Sequence, residues 1–290
     1  MHTKSRDNWV AAAFVAPFVI AYLVLFLYPT VRMVILTFTD APLIGAGKWI
    51  GFKNYQRLFN DKAYISAVWN TGYFVLLTVI PNTLLGLVFA MMVNRQKGYV
   101  QSFILAAFFL PYILPVSVVY RIWEWMMDYQ FGIAQYALDA FYGERVAVFR
   151  NKVWAMPMMA FVTIWWTIGF NVLLFIAGLR NISQDMYDAS ALDGAKRWKQ
   201  FRYITWPLIW PVTALVLTIQ LILQLKIFDQ IYLLTLGGNV NNTMVLVQYI
   251  YKQAFQLNKG GYGATVAFSL FAIIVVVSVL QYQALRARPR

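Results

Sequence analysis

Six long stretches of the chain contain no charged residue, and short polar connections separate them. They run approximately over 10–31, 63–94, 98–120, 153–179, 203–225 and 260–285. A hydrocarbon core about 30 Å thick is crossed by a helix of about 20 apolar residues, so each stretch can span a bilayer. A seventh uncharged stretch, 230–251, is interrupted by Gly237, Gly238, Asn239, Asn241 and Asn242. Backbone of that composition would leave peptide groups unsatisfied in lipid, so it is read as a loop. The pattern predicts an all-α membrane protein with six transmembrane helices. The first stretch is long for a signal peptide, contains Pro17 and Pro29, and has no small-residue cleavage site behind it, so it is read as a retained anchor.

The bases give an orientation. With both ends cytoplasmic, the inner segments hold Lys4 and Arg6, then Arg95 and Lys97, then Arg180, Lys196, Arg197, Lys199 and Arg202, then Arg286, Arg288 and Arg290. Bases crowded into short loops mark the inner face, so the N and C termini are expected inside. Lys48, Lys53, Arg57 and Lys62 in the first outer loop oppose this preference. Prolines 17, 29, 81, 111, 115, 157, 207 and 211 fall within the spans or at their edges. Each removes a backbone donor and bends its helix, which a bundle accommodates through neighbouring groups.

Composition agrees with the pattern: 61% of residues are hydrophobic and 12% are charged, roughly half the charge content of an ordinary soluble domain. One His and no Cys exclude disulfides, thiolate chemistry and nearly every transition-metal site. The formal charge of +13 comes from the connections, which assigns it to loops and lipid headgroups and not to nucleic acid. Gly47 and Lys48 look like the end of a phosphate-binding loop, but Pro42 stands where its first Gly is required and Trp49 where Ser or Thr is required. No G-x-S-x-G elbow and no second His are present to build a nucleophile and base, so the chain is not read as an enzyme. Arg32, Arg121, Glu124, Asp128, Lys226 and Asp229 all fall at span ends. No charge therefore lies near the midplane, where ion-coupled carriers place one. Lys226 and Asp229, three residues apart, are expected to pair with each other. Energy for any transport would then have to come from somewhere else.

The most polar segment lies between the fourth and fifth spans. Read as a helix over 184–203, it carries an apolar stripe of Tyr187, Ala191, Ala195, Trp198 and Phe201. Ser183 can cap it, Asp185 and Asp188 occupy its first turns, and Lys196, Lys199 and Arg202 lie toward its end, an order that suits the helix dipole. An interior Gly costs about 1 kcal/mol against Ala, so Gly194 is expected to mark a joint between two short helices. Spacing leaves two roles open, a basic amphipathic helix on the membrane surface or a docking site for a protein.

The full string YDASALDGAKRWKQFRYITWPLIWP resembles the EAA loop of ABC importer permeases. Asp188, Ala189 and Ser190 stand at the E-A-A positions, Asp193, Gly194 and Ala195 at D-G-A, and Ile204 and Pro207 at the closing I-x-x-P. Asp188 replaces the usual Glu and Ser190 the usual second Ala. GFKNYQRLFND (51–61), NTGYF (70–74), LTLGGNVNNTMVLVQYIYKQAF (234–255) and GYGAT (261–265) are similar to stretches of the carbohydrate branch, the maltose and glycerol-phosphate permeases. The resemblance implies a type I ABC importer permease fold, with an N-terminal helix and first outer loop over 1–65 and a permease core over 66–285. It places the coupling loop at 183–207. It also implies partners: a second homologous permease, two cytoplasmic ATP-binding subunits that hold ATP and Mg, and an extracytoplasmic solute-binding protein. No cofactor is expected in this chain, and the implied location is the bacterial inner membrane.

A path for a hydrated solute needs polar or aromatic side chains facing inward. Candidates are Tyr112 and Ser117 on the third span, Thr163, Trp166, Thr167, Phe170 and Asn171 on the fourth, and Gln220 and Gln224, four apart on one face, on the fifth. Such residues also hydrogen-bond between helices in bundles, and both roles stay open. The expected function is the permease subunit of an ATP-driven importer for a sugar or sugar-like solute. The alternatives are a permease for a non-sugar solute, a self-sufficient carrier or channel, or a membrane scaffold that recruits a protein through 184–203.

Overall fold

A computed structural model describes residues 3–235 and 243–286. α1 (Thr3–Tyr22) passes through a π turn at Leu23–Leu27 into α2 (Tyr28–Leu36). There follow α3 (Lys53–Asn60), α4 (Lys62–Asn94), α5 (Gly98–Ile113), α6 (Val116–Met126), α7 (Ile133–Tyr142) and α8 (Ala155–Arg180). α9 (Gln184–Leu192) and α10 (Arg197–Gln200) lead through a π turn at Phe201–Thr205 into α11 (Trp206–Leu225). The short helices α12 (Asp229–Leu234) and α13 (Leu246–Tyr251) precede α14 (Gly260–Arg286). Pro29 and Pro207 each follow one of the π turns by two residues. A residue without an N–H frees the carbonyl four positions earlier, and the wider turn lies over that gap.

Among the described residues, five helical stretches are long and apolar enough to cross a membrane: Ala12–Leu36, Lys62–Asn94, Ala155–Arg180, Arg197–Leu225 and Gly260–Leu285. The predicted third span is not one straight helix, because α5 and α6 meet at a bend of 96° and supply the sixth crossing only as a broken pair. Pro115 explains the break. The residue before a proline is driven out of the helical region, and Leu114 is extended with ψ 139°. The fifth span begins earlier than read, at Arg197, because α10 runs into α11 without interruption.

Two other expectations are corrected. The stretch 230–251 is not wholly loop: α12 and α13 occupy its ends, while Gly237, Gly238, Asn239, Asn241 and Asn242 lie outside the described residues. Lys226 and Asp229 form no ion pair, because the chain leaves α11 at Lys226 and begins α12 at Asp229, so the two never share a helix face.

The chain forms two compact units. In the unit of residues 1–64 and 249–272, Asn54 Nδ2 donates to Thr37 O and Thr39 O at 2.9 and 2.8 Å, and Gly261 N–H donates to Ala41 O at 2.8 Å. Asp61, which ends α3, accepts hydrogen bonds from the hydroxyls of Tyr249 and Tyr262. The Arg57 guanidinium lies over the Tyr262 ring, 3.9 Å from its centroid.

The unit of residues 65–248 and 273–290 holds the bundle core. On α4 the buried positions include Asn70, Thr71, Thr78, Asn82, Thr83 and Gly86, while Leu76, Ile80, Leu84 and Val88 are exposed. Polar and small residues thus face the protein and aliphatic ones face outward, as in a helix whose surroundings are lipid. α5 packs along α8 at Gly169, where a Cβ would stand 2.0 Å from Phe108 O, so only a glycine permits the approach. Two apolar clusters form around α8. One holds Phe74, Tyr120, Met159, Val162 and Ile231, and the other Leu87, Val172, Phe175, Ile209 and Val216.

Candidate functional site

Between the two apolar clusters lies a layer of amides and hydroxyls from α4, α8 and α11. Asn82 Nδ2 donates to Thr167 Oγ1 at 2.8 Å and to Gln220 Oε1 at 3.4 Å. Gln220 Nε2 donates to Asn171 Oδ1 at 2.8 Å, Asn171 Nδ2 to Asn82 O at 3.3 Å, and Gln224 Nε2 to Gln220 Oε1 at 3.2 Å. Thr167 Oγ1 donates back to Thr163 O at 2.7 Å, and the Thr163 hydroxyl shares a 2.6 Å hydrogen bond with the Tyr120 hydroxyl. Gln220 and Gln224 sit one turn apart on one face of α11, so a single helix supplies two successive amides. A buried polar group is tolerable only when hydrogen-bonded, and this layer satisfies nearly all of its own. The exception is Asn82 Oδ1, which is buried without a partner.

The predicted path residues divide by exposure. Thr163, Asn171, Gln220 and Gln224 are buried in the layer, and Thr167 is half-buried at its edge. Tyr112, Trp166 and Phe170 form a half-buried aromatic group beside it, with Tyr112 stacked on Phe170 at 5.4 Å and Trp166 Nε1 donating to Leu114 O at 3.2 Å. Ser117 stands apart, exposed on α6. Sequence reasoning missed Asn82 and Tyr120. The signal for Asn82 was available: it falls with Asn70, Thr71 and Thr78 at helical spacing on one face of a span that is otherwise aliphatic. A cavity of about 780 Å³, whose lining includes Glu124, Asp128, Gln130, Arg150 and Thr235, opens at the α8 end remote from α9, and no predicted path residue lines it.

The second element is the polar connection from α8 to α11. The expected joint is present: Gly194 has φ +76°, a left-handed conformation that glycine adopts without a Cβ penalty. Ser183 caps α9, its Oγ accepting from Asp185 N–H at 3.2 Å. The turn is closed by Ala195 N–H donating to Ser190 O at 2.9 Å. Across it, Gln200 Nε2 donates to Ser190 Oγ and to Tyr187 O, each at 3.1 Å, and Tyr187 shares a 2.9 Å hydroxyl contact with Thr205. The predicted five-residue stripe does not survive, because the joint changes the helix direction and leaves Ala191 and Trp198 exposed. Asp188, Ala189, Asp193, Gly194 and Pro207 are exposed, and Ser190 and Ala195 are half-buried toward α10. Leu192 at the tip is 91% exposed. The connection projects as a short, rigidly tied knob that carries exposed acids on its first helix.

Residues 82–288 match the family described as binding-protein-dependent transport system inner membrane component. Among curated proteins, the chain is 29% identical to the sulfoquinovosyl glycerol transport system permease protein SmoG of Agrobacterium fabrum, over 97% of this chain and 92% of that protein. It is 32% identical to the arabinooligosaccharides transport system permease protein AraP of Bacillus subtilis, over 92% and 85% respectively. It is 29% identical to the trehalose/maltose transport system permease protein MalF of Thermococcus litoralis, over 95% and 92%. Among solved structures it superposes with a TM-score of 0.83, at 20% identity and 98% coverage of each chain, on a chain of a bacterial ABC transporter involved in the import of alginate. The fold is that of the membrane-spanning chains of ABC importers.

Proposed function

The chain belongs to the binding-protein-dependent transport system inner membrane component family, a family of multi-pass membrane subunits, and from that premise we propose that it is the permease of an ATP-driven importer for a carbohydrate or carbohydrate-like solute. The observation that carries the solute class is similarity along nearly the whole chain to permeases named for sulfoquinovosyl glycerol, arabinooligosaccharides and trehalose or maltose. In this proposal a second permease completes the path, two ATP-binding subunits dock on the side of α9 and hold ATP and Mg, and a solute-binding protein delivers cargo on the other side. Both termini then face the cytoplasm, with the crowded bases supporting that orientation.

The coupling route follows from the chain's own connections. Asp188, Ala189, Ser190, Asp193, Gly194 and Ala195 form the docking knob, with Pro207 behind it. A push on α9 is passed to α10 through Gln200 and to the π turn ahead of α11 through Thr205. α10 continues into α11 as one stretch, Arg197–Leu225, and Gln220 lies about 35 Å along it at 1.5 Å per residue. Movement at the knob therefore arrives at the amide layer, where Asn82 Oδ1 offers an unused acceptor to a shifted donor. Thr163, Thr167, Asn171 and Gln220 hold the helices in register in this state, and Gln224 extends the layer along α11 by its bond to Gln220. The aromatic faces of Tyr112, Trp166 and Phe170, with Ser117 farther out, offer surfaces suited to sugar rings.

The test is reconstitution of the chain with a second permease, the ATP-binding subunits and the solute-binding protein, followed by uptake of labelled oligosaccharides and polyols. Uptake that needs both ATP and the binding protein is expected. Uptake by this chain alone would overturn dependence on an ATPase, and uptake confined to amino acids or ions would overturn the solute class.

A further inference from the structure

The segment between α6 and α8 folds into a small lobe whose central helix points its apolar face outward. On α7, Ile133, Tyr136, Ala137, Ala140 and Phe141 are exposed, Ile133 to 65% and Phe141 to 87%. At 100° per residue these five cover about 140° of the circumference, a full amphipathic stripe. The opposite side carries Gln135, which is 1% exposed. Its Nε2 donates to Met127 O and Val146 O at 3.0 and 2.8 Å, and its Oε1 accepts from Val146 N–H at 3.1 Å. These bonds fix the roll of the helix, so the apolar stripe cannot turn inward. Arg145 closes the lobe by donating to Gln130 O at 2.6 Å and Tyr129 O at 3.3 Å. Its guanidinium lies 5.9 Å from the centroid of the Tyr136 ring.

We propose that α7 lies flat in the headgroup region of the bilayer, in the leaflet on the side opposite the α9 knob, with the stripe from Ile133 to Phe141 against lipid. Three observations choose lipid as the occupant. The lobe leads directly into α8, a helix long and apolar enough to span, and α9 follows the other end of α8, while α6, the second arm of the bent pair, leads into the lobe. Exposed apolar side chains continue from the stripe onto those ends: Ile122 and Trp125 on α6, Val153 and Trp154 ahead of α8. Aromatic residues concentrate where a chain crosses the headgroup level. Arg145, Arg150 and Lys152 in the same lobe are exposed, which suits lipid phosphates.

The chain has no Cys, so single reporters can be placed in the full-length protein. Ala140→Cys and Asp139→Cys are labelled with a fluorophore in vesicles of phosphatidylethanolamine and phosphatidylglycerol, and quenching is compared between a headgroup-level lipid nitroxide and aqueous iodide. The Ala140 label is expected to be quenched several-fold more by the nitroxide, and the Asp139 label more by iodide. Iodide access at Ala140 overturns the proposal. So does shielding from both quenchers, which would mark a protein-covered face. If Ala140→Cys fails to accumulate, Phe141→Cys reads the same stripe. Uptake assays do not depend on this outcome, so the location of α7 and the transport function can fail separately.

Discussion

The Gln200 amide reaches the Ser190 hydroxyl at 3.1 Å across the left-handed turn at Gly194, and that hydroxyl in turn donates to Tyr187 O at 2.8 Å. α9 is thus held to α10 by side-chain hydrogen bonds and not by an apolar stripe. The serine departs from the Ala that the EAA pattern carries there, and the departure adds a polar tie. A half-exposed hydrogen bond contributes about 1 kcal/mol at most. Ser190→Ala should leave the bundle folded and raise hydrogen exchange across 184–192 by a few-fold. Gln200→Ala, which also removes the bond to Tyr187 O, should raise it somewhat more, and the double variant should fall short of the sum of the two. Strictly additive losses would show that the two side chains do not act as one tie.

Gly194 sits at φ +76°, and a Cβ there would meet no atom within 4 Å, so a small substitution acts through the backbone alone. A Cβ in the left-handed region costs about 1–2 kcal/mol, with Asn the best tolerated replacement. Gly194→Ala should reduce uptake and transport-linked ATP hydrolysis together in a reconstituted transporter, and Gly194→Asn should retain more of both. Gly194→Trp adds bulk at the knob and should abolish both while the chain still reaches the membrane. Full uptake by the Trp variant would remove the knob from the coupling route.

Two glycines separate packing from propensity. A Cβ at Gly169 would stand 2.0 Å from Phe108 O, whereas one at Gly72 meets nothing within 4 Å. Gly169→Ala must force α5 and α8 apart, an overpacking loss of about 3 kcal/mol or more. Gly72→Ala should be neutral or stabilising by up to about 1 kcal/mol. Thermal unfolding in detergent, followed by size-exclusion, distinguishes them, and equal midpoints would contradict the close helix approach.

Span existence was legible because charge-free length is a one-dimensional property, and the stretches at 63–94 and 153–179 agree closely with α4 and α8. The knob was legible at the level of its joint, since Gly194 and Ser183 act locally. The break at Leu114 was signalled by Pro115 but outweighed by the apolar run around it. What sequence reading lacked was pairing. Asn82 looks like one polar residue in a long apolar stretch until α8 and α11 bring Thr167, Asn171 and Gln220 against it. Those partners lie 85 to 138 residues away, and periodicity cannot reach across that separation.

The amide layer yields a fourth prediction. Asn82→Ala removes the donor to Thr167 and Gln220 but keeps the backbone carbonyl that Asn171 uses. Interhelical hydrogen bonds in membrane bundles contribute about 0.6–2 kcal/mol each, so a loss of about 1–2 kcal/mol is expected. Gln224→Ala removes only the outermost donor, to Gln220, and should weaken transport without preventing assembly. Measured by unfolding and by co-purification with the partner permease, Asn82→Ala should be the less stable of the two. Loss of assembly in Gln224→Ala would instead make that residue structural.

Asp61 gives the last prediction, a pH dependence confined to the unit of residues 1–64 and 249–272. Partial burial pushes its carboxyl up, but hydrogen bonds from Tyr249, Tyr262 and the backbone N–H groups of Tyr64 and Ala63 outweigh burial and leave it below its ordinary 3.8. Burial and the Asp61 carboxylate both push the Tyr249 hydroxyl up, so it stays a donor throughout the physiological range. A carboxyl whose folded pKa is depressed stabilises fully above its unfolded value, and the contribution disappears as pH falls through the folded one. The unit containing 249–262 should therefore be indifferent to pH from 8 down to about 5 and loosen below about 4. Asp61→Asn, which cannot be a charged acceptor, should show the loosened state at neutral pH and lose the acid dependence. Hydrogen exchange of 249–262 measured across that range checks both, and an acid transition that persists unchanged in Asp61→Asn would assign it to another group.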